Sequence, residues 1–144
     1  MNSQNSVLYA ALSNQVNAIG FDSTAGKLKP FQGAPYPAQS IPTSLVLLPS
    51  GQFLYAGNNG AGTISAYSVN STTGALTPGN VVQVGNRTFL EIDSSGQHLL
   101  IVGESLNSIF IVKIDPTSGA ITRGNMTALP TMADTRFTAL VPLQ

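Results

Sequence analysis

The chain has 144 residues, no cysteine, and six Lys plus Arg against six Asp plus Glu, which leaves a formal net charge of zero with only 8% of residues charged. That length suits one domain able to bury its own core. The absence of cysteine excludes a disulfide framework and a thiolate zinc site, and the absence of a basic field argues against a nucleic-acid partner.

The N-terminal "MNSQNSVLYAALSNQ" lacks the basic start and long apolar middle of a signal peptide, and apolar runs such as "SLVLLP" and "HLLIVG" are too short to span a bilayer. The expectation is a soluble chain with no membrane association, its compartment left open. From Ser6 the text "SVLYAALSNQVNAIGFDSTAGKLKPFQG" reads as three strands and their turns. The next stretch says the same with a strand added in front: "SLVLLPSG", "QFLYAGN", "TISAYSV" and "GALTPG" are short apolar runs, rich in β-branched and aromatic residues and divided by turn residues. We label these strands A, B, C and D. A third version follows, in which "SGQHLLIVGESLNSIFIVKIDPTSGAITRGN" matches "SGQFLYAGNNGAGTISAYSVNSTTGALTPGN", and Gly51 to Gly96 and Gly74 to Gly119 are each 45 residues apart. The last run, Phe137 to Pro142, lines up with strand A.

The C-to-D turns "DSTAG", "NSTTG" and "DPTSG" share one chemistry. Asp22, Asn70 or Asp115 can accept from its own backbone two residues on, and Gly26, Gly74 or Gly119 supplies a left-handed position, so Gly74→Ala or Gly119→Ala is expected to cost on the order of 1 kcal/mol.

Four antiparallel strands per unit of forty-odd residues, repeated, is the signature of a β-propeller. The predicted fold is all-β, a single propeller segment over residues 1–144, with units at about 6–33, 41–80 and 86–125, a closing strand at 136–142, and the order BCD-ABCD-ABCD-A. Three four-stranded blades are fewer than the roughly four to eight that close a ring. The chain is therefore expected to be half or a fragment of a six- to seven-bladed ring. Its partners are expected to be either a second copy, in a homodimer whose closing strands are exchanged, or the missing blades of a longer chain.

The stretch "PTSLVLLPSGQFLYAGNNGAGTISAYSVNSTTGALTPG" resembles the repeat of the propeller lactonase family, the 6-phosphogluconolactonase-like proteins and their YVTN-repeat relatives. The resemblance implies the propeller fold over nearly the whole chain; the functional reading preferred from the sequence is a binding or scaffold module over an enzyme, with a sugar-lactone hydrolase as the alternative and a carbohydrate-binding propeller as a second. Members of the family often carry a His-Pro pair leading into strand A; here those places read Ile41-Pro42 and Asn86-Arg87.

In such a fold the D-to-A and B-to-C connections share one face. A lactone hydrolase needs a base to activate water and donors to hold the oxyanion, and the candidates on that face are Glu91, Glu104, Arg87 and Arg136. Glu91 takes the place of Val46 in an inner strand, where a carboxylate needs a partner or water. Arg87 and Arg136 are also ligand-binding candidates for a small sugar-like molecule, together with Tyr36, flanked by prolines in "APYPAQ". The plainer reading makes the arginines solvated loop residues and Glu104 a surface charge. His98, the one histidine, is expected on the opposite face as a packed imidazole with a single hydrogen bond. "NNGAG" reads as a flexible hairpin, and Tyr9, Tyr55 and Tyr67 as core. No cofactor or metal site is expected from these motifs.

Overall fold

The computed structural model describes residues 5–85, 88–103, 108–123 and 129–130, which form three antiparallel sheets. The first holds β1 (Asn5–Leu12), β2 (Gln15–Asp22), β3 (Lys27–Pro30) and β4 (Tyr36–Pro37). The second runs in the order β5 (Pro42–Leu47), β6 (Phe53–Asn58), β7 (Thr63–Val69), β8 (Leu76–Gln83). The third contains β9 (Thr88–Ile92), β10 (His98–Gly103), β11 (Ser108–Ile114), β12 (Ile121–Thr122) and β13 (Leu129–Pro130). These are the blades read from the sequence, with β1, β6 and β10 as strand B and β5 and β9 as strand A. The expected closing strand, 136–142, lies outside the described residues. Among the described residues no helix is long and apolar enough to cross a membrane.

The outer strand departs from its predicted bounds. Sequence reading ends strand D near Gly79 and places "VVQVGNR" in a connection, but β8 continues to Gln83. Its ladder to β7 shifts register between Ser65 and Tyr67, so Gly79-Asn80 bulges opposite Ala66 and the strand does not stop at Pro78-Gly79. In the other two sheets the same continuation comes as a second short strand: β4 pairs β2 beside β3, and β13 pairs β11 beside β12.

Alternation across the second sheet builds two cores. Along β6, Leu54 and Ala56 pack toward the first sheet with Val16, Ala18 and Tyr67, whereas Phe53 and Tyr55 pack toward the third with Leu99, Ile101 and Val112. A strand buried on both faces must be apolar at successive positions, and β6 is buried at all six.

Each gap is closed by the same device. The Tyr9 hydroxyl donates to the Gly74 carbonyl across the first gap (2.6 Å), and the Tyr55 hydroxyl donates to the Gly119 carbonyl across the second (3.0 Å). Two residues before each tyrosine, Val7 and Phe53 lie against the same glycines, where a Cβ would collide with them. Both glycines hold left-handed φ, 76° and 68°. The turn's Asx bonds are as expected: Asn70 Oδ1 accepts from Thr72 and Thr73 N–H, and Asp115 Oδ1 from Thr117 and Ser118 N–H.

Contact adds to conformation at these glycines, so the expected 1 kcal/mol is too small for them. Gly26 holds φ 63° with nothing within 4 Å of its Cβ position; Gly26→Ala should cost about 1 kcal/mol. Gly119→Ala adds overpacking against Phe53, and should cost about 1–3 kcal/mol more. Urea unfolding of the two variants measures this difference, and equal losses would refute the close-packed turn.

Candidate functional site

The B-to-C and D-to-A connections meet on one face through backbone hydrogen bonds. Ala38 N–H and Ile41 N–H donate to the Asn14 and Ser13 carbonyls, Asn59 N–H to Ile41, Gly60 N–H to Ser40, and Val84 and Gly85 N–H to Gly62. The expected flexible hairpin Asn58–Gly62 is thus fastened on both sides. Ile41 is held at φ 52°, a conformation that a β-branched residue seldom adopts. It stands where the family resemblance anticipates a histidine, and is 55% exposed.

Beneath this rim lie neutral polar groups. Asn58 is fully buried; its amide donates to Thr63 Oγ1 (3.1 Å) and Ser65 Oγ (2.9 Å). Its Oδ1 and the Asn59 Oδ1 are buried without a hydrogen-bond partner among the described residues, as is the Tyr36 hydroxyl, which lies apart from them in the core between the first and second sheets, near Tyr9. Such atoms are costly to leave unmade and suit the hydroxyls of a ligand or ordered water. Sequence reading passed over Asn58 and Asn59 because "NNGAG" resembles any polar hairpin. What sets Asn58 apart is burial at the end of a strand that is buried at every position, which nothing local in the sequence marks.

Of the sequence candidates, Arg87, Glu104 and Arg136 lie outside the described residues. Tyr36 falls on β4, not in an open loop, and its ring is packed in the core between the first and second sheets, 7% exposed. Glu91 is half-buried and pairs with Leu100. Its neighbours Leu90 and Ile92 face the second sheet, so the pleat turns Glu91 to the opposite, outer face of the third sheet. Among the described residues no group of three or more His, Asp or Glu is placed to hold a metal ion.

His98 stands at the A-to-B turn, away from the rim, with Nδ1 3.2 Å from Asp93 Oδ2. Partial burial works to raise the Asp93 carboxyl, but hydrogen bonds from Ser95, the backbone and ring of His98 and the Gln97 N–H outweigh it and hold the group at about 2. The tyrosines are core groups. Burial pushes Tyr55 up to about 12 and raises Tyr67, and burial followed by the neighbouring Tyr36 raises Tyr9. On the turn face, an open cleft of about 550 Å³ is lined by Val7, Tyr9, Lys29 and the Asn70–Gly74 turn.

The family described as lactonase, 7-bladed β-propeller, matches residues 2–133. Among solved structures, the periplasmic gluconolactonase of Pseudomonas aeruginosa superposes with a TM-score of 0.77 at 18% identity, over 90% of this chain and 38% of its own. A Bacteroides uniformis protein assigned as a 6-phosphogluconolactonase gives 0.75 at 24% identity, over 90% and 38%. Its Bacteroides fragilis counterpart gives 0.74 at 23% identity, over 91% and 37%. The chain therefore spans under two fifths of these structures, and the likeness is one of fold. Among curated proteins, none matches this sequence significantly.

Two measurements check this geometry. Asp93 is depressed in the fold from its ordinary 3.8 to about 2, so it stabilises above pH 3.8, and that contribution is lost as pH falls through about 2. Asp93→Asn should therefore flatten the acid limb of a stability–pH curve, and an unchanged limb would contradict the hydrogen-bonded turn. Asn58→Ala leaves the Thr63 and Ser65 hydroxyls without their donor, and should cost about 1–3 kcal/mol in urea unfolding; a neutral change would mean the network carries no weight.

Proposed function

Because the chain belongs to the lactonase family of seven-bladed β-propellers, we propose that it forms three adjacent blades of a sugar-lactone hydrolase. The observation that carries this reading is the family match across nearly the whole chain. Lactone hydrolysis opens a cyclic ester. Water adds to the carbonyl carbon and gives up a proton to a base, the tetrahedral oxyanion collapses, and the ring oxygen leaves as a hydroxyl once it regains a proton.

In this reading Glu104 takes the proton from water. Arg87 and Arg136 hold the oxyanion or an anionic substituent on the sugar. Neutral groups at the rim bind the sugar hydroxyls: the Asn58 and Asn59 amide oxygens accept. A second reading, a carbohydrate-binding module without turnover, is favoured by the neutral chemistry of that rim and by Ile41 at the histidine position.

The test follows proton release at constant pH from 6-phosphogluconolactone and from glucono-1,5-lactone. The hydrolase reading expects a rate above spontaneous opening that scales with protein concentration, and a fall of about 10²-fold or more in Glu104→Gln. Saturable sugar binding by calorimetry with no rate above the spontaneous one would replace it with the binding module.

A further inference from the structure

The rim holds a reactive pair of residues. Asn59-Gly60 is the one Asn-Gly step in the sequence. Asparagine is thermolabile, and a following glycine leaves the next amide nitrogen most open, because it has no side chain to block approach. In an unfastened chain the Gly60 nitrogen gives up its proton and attacks Cγ of Asn59. A bond from that nitrogen to Cγ forms, the Cγ–Nδ2 bond breaks, and Nδ2 leaves as ammonia carrying the proton. Water then opens the cyclic imide at either carbonyl and leaves aspartate or isoaspartate, so no reagent beyond water is needed.

Packing requires the glycine. A Cβ at Gly60 would stand 2.7 Å from Ser40 Oγ and 3.0 Å from both Cγ1 and Cδ1 of Ile41, and a close-packed contact has no such room. The same approach restrains the reaction. The Ser40 carbonyl accepts from the Gly60 N–H at 3.0 Å, and the Ile41 carbonyl from the Asn59 N–H at 2.8 Å. The attacking nitrogen thus has its proton committed, and the main chain on both sides of Asn59 is pinned. Attack at Cγ would place negative charge on Oδ1, which is buried without a hydrogen-bond partner among the described residues, where nothing stabilises it. Ile41 makes this contact from its left-handed φ of 52°, a strained conformation held by the bonds on either side.

We propose that Asn59-Gly60 is a modification site, converted without an enzyme to aspartate and isoaspartate at a rate set by opening of the Ser40-Ile41 contact. Isoaspartate routes the main chain through Cβ and Cγ, one carbon longer, so the hairpin cannot keep both bonds to Ser40 and Ile41. Either product puts a carboxylate where a neutral oxygen lay, and burial disfavours that charge. The conversion therefore unfastens the rim in one direction only. It is independent of any catalytic role.

The test incubates the folded chain, and the same chain unfolded in urea, at one mildly alkaline pH, and follows conversion at Asn59 by peptide mapping with mass spectrometry. The unfolded chain should convert at Asn59, and the folded chain should do so at least about tenfold more slowly, the scale of two backbone hydrogen bonds that must open first. Ile41→Pro forbids the positive φ and should remove most of that protection. Equal rates in the folded and unfolded wild-type chain, or no conversion in the unfolded one, would overturn the proposal. So would an Ile41→Pro chain that keeps both its sheet signal in circular dichroism and its protection. If that variant loses the signal, hydrogen exchange at the Gly60 amide of the wild type decides instead. Exchange protection of the same order as the protection of Asn59 supports the proposal, and clearly smaller protection overturns it.

Discussion

The Tyr55 hydroxyl crosses the gap between two sheets to the carbonyl of Gly119, while Phe53 occupies the space a side chain at Gly119 would need. One residue thus meets two requirements at once, a left-handed turn and close approach of a neighbouring blade. Tyr9, Val7 and Gly74 repeat the arrangement one blade earlier. The hydrogen bond contributes about 1 kcal/mol. Its larger effect is on placement, because it fixes the height at which one sheet stands against the next, and the two apolar cores are packed in that register.

With the turn face occupied by these closures, the opposite face is where the repeat can vary. There the connections are tied by backbone bonds, which constrain the main chain and leave side chains open to change. The departures gather on that side: a fully buried asparagine at the end of β6, unpartnered oxygens, and Ile41 in a left-handed conformation. A rigid scaffold that presents variable connections is the arrangement in which binding and catalytic groups are usually found. The family's fold supports the lactonase reading, and fold alone does not supply its chemistry.

The blades were legible in the sequence because their logic is periodic. Turn glycines recur at fixed spacing, Asx residues precede them, and strands B and C are apolar on both faces where two neighbours cover them. The strand-D extensions were not legible. Proline and glycine at Pro78-Gly79 read as a terminus, yet on an outer strand a bulge costs little and pairing resumes. That error placed Tyr36 in a loop, whereas its strand position puts the ring in the core. Glu91 shows a different limit. Sequence marked it as a charge in an inner strand, but whether it faces a channel or a neighbouring blade depends on pleat and register. Asn58 was missed because burial of a polar group has no local sequence mark.

The central claim is that the turn glycine is where one blade closes on the next, and a double-mutant cycle on Phe53 and Gly119 tests it most directly. If the two residues compete for the same space, Phe53→Ala removes the collision that makes Gly119→Ala costly. The unfolding free energy lost by the double variant should then fall short of the sum of the single losses by at least about 1 kcal/mol. Losses that add to within about 0.5 kcal/mol would show that the two sites are independent and contradict the account.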